Sequence, residues 1–200
     1  MKNSTILKSG VLMLVFTLIC IFFVSLAEQT TKDKIAFNEE QLLIKRLNEI
    51  VANYDNNIVV EQFEETIVLH GIEQSIRIFP AKKNEQLFAH LIEHTYPNGY
   101  NGNIRLLTGI NIDGELLGVR VISHKETPGL GDKIETRKSD WIKGFSGLSL
   151  SNLDKSQWRV KRDGGHFDQF TGATITPRAI VSAAYQLLGY FQERPLSETK

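Results

Sequence analysis

The chemistry of this chain concentrates in Asp168-Gln169-Phe170-Thr171-Gly172-Ala173-Thr174-Ile175-Thr176-Pro177. Thr171 and Thr174 place hydroxyls around a glycine turn, and Gly172 opens backbone conformations closed to other residues. Thr176 and Pro177 read as the N-cap and first residue of a helix. That helix runs through Arg178 to about Gln192, with Ile180, Ala184, Leu187, Leu188 and Phe191 on one face. A helix start collects unpaired N–H groups and the positive dipole end, so an anion is stabilised there. With the cap at Thr176, the Thr174 hydroxyl stands two residues ahead of it. A phosphate on that hydroxyl would lie beside a site that favours it. A capped terminal helix after an ordinary Thr/Gly turn fits the same residues.

A second stretch, His124-Lys125-Glu126-Thr127-Pro128-Gly129-Leu130-Gly131-Asp132, follows a strand directly. Pro-Gly and Gly-Leu-Gly force a compact irregular backbone, in a place where loops approach ligands or simply turn in solvent. Among His70, His90, His94, His124 and His166, only His90 and His94 have metal-ligand spacing. That pair would share a face only on a helix, and its segment reads as a strand, so structural or exposed roles are expected. Trp141, Phe145 and Trp158 are expected in the core rather than stacked on a ring. Neither a Walker loop nor a dinucleotide Gly-x-Gly-x-x-Gly occurs, so the chain does not look built to bind NADH.

The elements that must position these residues are mainly strands. Ile58–Val60, Thr66–Leu69 and Ser75–Phe79 are short β-prone runs, and Gln86–His94 reads as a strand buried on both faces. Ile104–Ile112 and Glu115–Ile122 flank Asp113-Gly114, the strongest hairpin signal, with Leu107, Ile110, Val119 and Val121 as core. Tyr96–Gly102 reads as a loop. Before the strands, a polar linker leads to a helix that Asn38 would cap, with Gln41 completing a capping box and Phe37 stapled on Leu42. Leu43, Leu47, Ile50 and Val51 continue its apolar face, and Asn53–Asn57 ends it.

The 200 residues hold one ordinary domain plus an appendage, and 23 basic against 23 acidic residues leave no net charge. With no basic stripe, nucleic acid is not an expected partner. The sole cysteine, Cys20, sits in an uncharged run from Val11 to Ala27 of 17 residues, at the lower edge of a membrane span. A signal peptide is the competing reading, with Lys2 and Lys8 as its basic end and Ser25-Leu26-Ala27 at the cleavage positions. The run exceeds a normal signal core, which favours an uncleaved anchor. Ile19 before Cys20 argues against lipoprotein processing. Basic residues before the span put the N-terminus in the cytoplasm and the rest of the chain outside the inner membrane.

Asp168, Thr171, Gly172, Ala173 and Thr174 match Asp-x-x-(Ser/Thr)-Gly-Ala-Thr. This resembles the sequence at which a bacterial flavin transferase moves FMN from FAD onto the last threonine. Glu126-Thr127-Pro128-Gly129-Leu130-Gly131 after His-Lys resembles the second signature of the same FMN-binding domain family. That family is shared by the G component of the Rnf electron-transport complex and the C component of the sodium-pumping quinone reductase. Chain length favours the Rnf component.

The resemblance implies an α+β fold: a single N-terminal transmembrane helix, then an extracytoplasmic FMN-binding domain with a mainly antiparallel sheet and flanking helices. The implied organisation is a cytoplasmic N-terminus 1–9, an anchor 10–27, a linker and helix 28–57, and a periplasmic domain 58–200. It implies covalent FMN on Thr174, with Thr171, Gly172, Ala173 and Thr176 beside it. Lys125, Glu126, Thr127, Pro128, Gly129 and Leu130 would wall the isoalloxazine ring, and Asp168 would serve recognition by the flavin transferase. The implied role is electron carriage inside a membrane-bound ion-translocating complex, not catalysis alone, with the other subunits, the transferase and the lipid bilayer as partners. The rivals are a component like that of the sodium-pumping quinone reductase, a non-redox membrane-anchored assembly module and a secreted flavoenzyme.

Overall fold

From Val11 to Ile50 the chain contains neither glycine nor proline, and it forms one helix, α1 (Lys2–Ile50). The computed structural model describes residues 2–194, with side chains from Ile6 onward; the Lys2 side chain and residues 195–200 lie outside that description. The expected break between span and second helix is absent, and Asn38 is a helix interior residue rather than a cap. Glu28, Gln29, Lys32 and Lys34 are good helix formers, so nothing in the polar segment stops propagation. The Thr30 and Thr31 hydroxyls there bond back to the carbonyls of Leu26 (3.0 Å) and Ala27 (2.7 Å). The apolar part of α1 is long enough to cross a membrane.

The chain divides into two units, residues 1–45 and 46–200. The second begins with the last turn of α1 and contains strands β1 (Phe63–Leu69), β2 (Ile72–Lys83), β3 (Gln86–Gly99), β4 (Gly102–Asn111) and β5 (Leu116–Ser123), then helix α2 (Ile175–Glu193). The strands form one antiparallel sheet in chain order. Ile58–Val60 is a turn, not a strand, because the Asn57 carbonyl and side chain both take the Val60 N–H, at 3.1 and 3.2 Å. β3 runs on past Tyr96 through the expected loop. Its register shifts between Tyr96 and Gly99, so Pro97, which has no N–H to give the ladder, sits in the irregularity.

Alternation sorts the sheet's side chains onto two faces. Ile76, Ile78, Ile92, Ile104, Leu106, Ile110 and Val119 pack with Ile180, Ala184, Leu187, Leu188 and Phe191 of α2, the helix face expected from the sequence. Phe79, Leu91 and Leu107 point the other way and are equally buried. The end of α1 covers that second face: Arg120 Nη2 donates to the Glu49 carbonyl at 2.9 Å, and Leu47 is buried. β3 is therefore buried on both faces from Ala89 to His94.

His90 and His94 share the α2 face after all, since residues four apart on a strand point the same way. Each is buried. His94 Nδ1 faces His70 Nε2 at 3.1 Å, its Nε2 faces Thr108 Oγ1 at 3.0 Å, and His70 Nδ1 faces Gln186 Oε1 of α2 at 3.3 Å. Burial lowers His70 to about 4, His90 to about 4 and His94 to about 3. The His70 and His94 rings are neutral polar groups joining sheet to helix, while His90 Nδ1 is buried without a hydrogen-bond partner among the described residues.

Between β5 and α2 the chain forms short 3-10 turns. Phe145 and Trp158 are core residues, as expected, and Trp141 is half-buried.

Candidate functional site

The first wall is the start of α2. Phe170 is buried and meets the Trp141 ring edge-on at 5.0 Å, while Trp141 Nε1 donates to the Asp168 carbonyl at 2.8 Å. From this anchor the chain turns: Ala173 N–H donates to the Phe170 carbonyl at 3.1 Å, with Gly172 at φ +81°. The turn delivers Thr174 to the N-cap position of α2, two residues earlier than the sequence suggests. Thr176 is already helical and caps nothing. Its hydroxyl donates to Glu126 Oε2 instead, which is why the cap moves. Thr174 makes no side-chain cap bond, and its carbonyl receives the Arg178 N–H at 3.4 Å.

The second wall is the loop after β5. Leu130 N–H donates to the Thr127 carbonyl at 3.1 Å across Pro128-Gly129, and Gly129 has φ +78°. This is the turn with a positive-φ second central residue that Pro-Gly encodes. Asp132 Oδ1 receives the Gly129 N–H at 2.9 Å, and that bond, aided by Lys138, holds the Asp132 carboxyl below its usual range. Behind the loop, His124 Nδ1 accepts the Glu126 N–H at 3.0 Å, which leaves Nε2–H to donate to Glu135 at 2.9 Å. Arg137 and His124 together lower the Glu135 carboxyl.

Between these walls and the tip of the β3–β4 hairpin lies a cavity of about 430 Å³, lined by Tyr100, Glu126, Thr127, Leu130, Gly131 and the run from Gly172 to Thr176. Its lining mixes apolar surface from Tyr100, Leu130, Ala173 and Ile175 with three threonine hydroxyls and one carboxylate. Such a lining and volume suit a flat organic ligand carrying a few polar groups.

The structure thus brings together Thr174, Gly172, Ala173, Thr176, Glu126, Thr127 and Leu130 from the sequence-derived set. Pro128 and Gly129 shape the loop without lining the cavity, and Thr171 is exposed on the turn. Lys125 lines a neighbouring hollow of about 510 Å³ with Thr95, Arg105 and His124. Asp168 is exposed, and its carboxylate pairs with Lys161 at 2.7 Å.

The chain matches the FMN-binding domain family over residues 99–189 and the RnfG N-terminal region over residues 1–50. It is 43% identical over 197 residues to the G component of the ion-translocating oxidoreductase complex of Shewanella oneidensis, covering 96% of this chain and 92% of that protein. The chain belongs to the RnfG family. Its identity to the Shewanella baltica counterpart is 45% over 96% of this chain and 91% of the relative, and to the Vibrio atlanticus counterpart 41% over 95% and 92%. The domain match begins at the end of β3 and ends within α2, so it contains every residue lining the cavity.

Sequence reasoning missed Tyr100, Gly131 and Ile175 as lining residues. Tyr100 sat in a stretch legible as turn chemistry, and the aromatic ring at a hairpin tip was the available signal.

Proposed function

We propose that this chain is the membrane-anchored electron carrier of an ion-translocating oxidoreductase complex, with FMN held by a phosphoester to Thr174. One observation carries this reading: Thr174 occupies the N-cap position of a 19-residue helix with its hydroxyl uncommitted to capping, at the edge of a cavity of flavin-compatible size. The first turn's N–H groups and the helix dipole favour a phosphate there. FMN supplies one- or two-electron transfer, and the protein's part is to hold it, orient it and shape its surroundings.

In the attachment step, Thr174 Oγ forms the new P–O bond as the FAD pyrophosphate bond breaks. AMP departs with the bonding electrons, and the hydroxyl proton passes to a base of the flavin transferase. Asp168, exposed six residues before Thr174, is proposed as a contact for that transferase. Leu130, Tyr100 and Ile175 offer the ring apolar surface and exclude water, and Thr127 and Glu126 offer polar contacts at its edge. Residues 10–27 are proposed as the span, with 1–9 in the cytoplasm, 28–57 as the connection and 58–200 on the periplasmic side. Lys2 and Lys8 before the span support this orientation. A covalent link then keeps the cofactor where free FMN is not available for exchange. The other subunits of the complex and the lipid bilayer are its proposed partners.

The deciding experiment is the intact mass of the protein produced with the flavin transferase. The expected mass exceeds the polypeptide by FMN less one water; an unmodified mass from colourless protein would overturn the reading. A reporter fused after Lys200 should work only if it functions in the periplasm.

A further inference from the structure

Glu126 is 4% exposed, yet it forms no ion pair among the described residues. Its Oε2 receives the Thr176 hydroxyl from α2, and its Oε1 receives the Asn101 N–H from the β3–β4 hairpin tip at 3.2 Å. It thus joins all the segments that build the cavity. The space around it is kept by glycines. A Cβ on Gly131 would come 2.9 Å from Glu126 Cβ and 2.8 Å from Thr176 Oγ1, and one on Gly99, which first meets the Gly102 carbonyl oxygen at 2.4 Å, would also come 2.8 Å from Glu126 Oε1. Both approaches are closer than real Cβ contacts allow, so both positions exclude any side chain. At Gly131 the atoms that exclude a side chain all belong to Glu126 and its partner Thr176, so a glycine and a threonine house this one carboxylate. An aliphatic side chain would fill the corner without those demands, and an unpaired buried carboxylate is costly to keep.

We propose that Glu126 is the positioning residue of this site and also its fixed negative charge: the carboxylate clamps loop, hairpin and α2 together and lowers the reduction potential of the bound FMN. This rests on the flavin reading above. Electrons added beside a negative charge in a low-dielectric wall are disfavoured, and no neighbouring cation among the described residues pairs with Glu126 to cancel the effect. Thr176 and the Asn101 N–H hold the charge in place without neutralising it.

The test is a redox titration of the covalently loaded protein, with in-gel fluorescence after denaturation as the control for attachment. Glu126→Gln keeps the size and most of the hydrogen bonding, since the Thr176 hydroxyl can turn to accept from the new amide. Its midpoint potential should move to more positive values. Glu126→Asp restores the charge and should bring the potential back toward wild type. Thr176→Val loosens the clamp but keeps the charge, and should not reproduce the upward shift. An unchanged potential in fluorescent Glu126→Gln would overturn the proposal, as would an equal upward shift in Thr176→Val, which would assign the effect to packing. If Glu126→Gln takes up no flavin, the other two variants decide: potentials that stay down support the charge, and an upward shift in either overturns it. Absence of covalent flavin from the wild-type protein would instead remove the flavin reading itself, so the two failures are distinguishable.

Discussion

The two walls of the cavity are both glycine turns that carry threonine, but they are supported in opposite ways. The helix that carries the α2 wall is held to the sheet by neutral groups: its apolar face and, at Gln186 twelve residues past Thr174, the His70–His94–Thr108 chain. The Thr127–Gly131 wall is backed by charges, with Asp132 under the Gly129 N–H and Glu135 between His124 and Arg137. One wall offers a free hydroxyl at a helix start; the other offers a shaped backbone and a buried carboxylate. On the proposed reading, attachment chemistry and ring environment fall to different segments, so they can be disturbed separately.

The largest expected effect tests that separation directly. Thr174→Val should abolish fluorescence in a denaturing gel while the domain stays folded, and Thr127→Val on the other wall should leave the attached flavin in place. Retained fluorescence in Thr174→Val, or loss in Thr127→Val, would break the assignment.

Acid should then act on the walls in sequence. The buried histidines have folded-state values near 4, 4 and 3, below their ordinary 6.5, so the folded state binds fewer protons than the unfolded chain. Their contribution is complete above pH 6.5 and is lost as pH falls from there toward 4. By pH 5 the loss is at most about 2 kcal/mol for each ring. Asp132 and Glu135 are lowered carboxylates, whose stabilisation is present above their ordinary values and disappears only below them. Denaturant midpoints measured between pH 7 and pH 5 should therefore fall through the α2 wall, and His94→Gln should flatten that dependence. A flat wild-type profile would contradict the neutral backing.

Gly129→Ala should have a smaller effect. An added Cβ meets no atom within 4 Å, so the cost is the backbone's alone, about 1 kcal/mol for a positive φ. Covalent flavin should be retained with an altered visible spectrum. A spectrum identical to wild type would mean that the loop is an ordinary turn. Lys125→Ala should show the least, with attachment and spectrum unchanged, because this side chain lines the adjacent hollow. A changed spectrum would return Lys125 to the ring's wall.

What was legible in the sequence follows the range of the physics involved. The antiparallel sheet, the Asp113-Gly114 hairpin and the buried face of α2 rest on local alternation and helical spacing, and they form as expected. The Pro128-Gly129 turn was legible for the same reason. The cap of α2 was not, because Thr176 gives its hydroxyl to a residue fifty positions away. Nor was the unbroken α1: a good capping box at Asn38 competes poorly with a helix already propagating through it. Tyr100 joins the cavity only because β3 passes through Pro97 by a register shift, a tertiary solution that no local rule selects.

The strand order has a consequence for the timing of maturation. Every strand pairs with its sequence neighbour, so the sheet can assemble hairpin by hairpin as the chain emerges, without waiting for distant partners. The cavity cannot. Its last wall lies at Gly172–Thr176, after all five strands, and that wall is set only when α2 docks on the finished sheet. If Thr174 is the attachment point proposed above, it would act as a late checkpoint: a transferase that needs the docked helix start would load flavin only onto chains that had completed their fold.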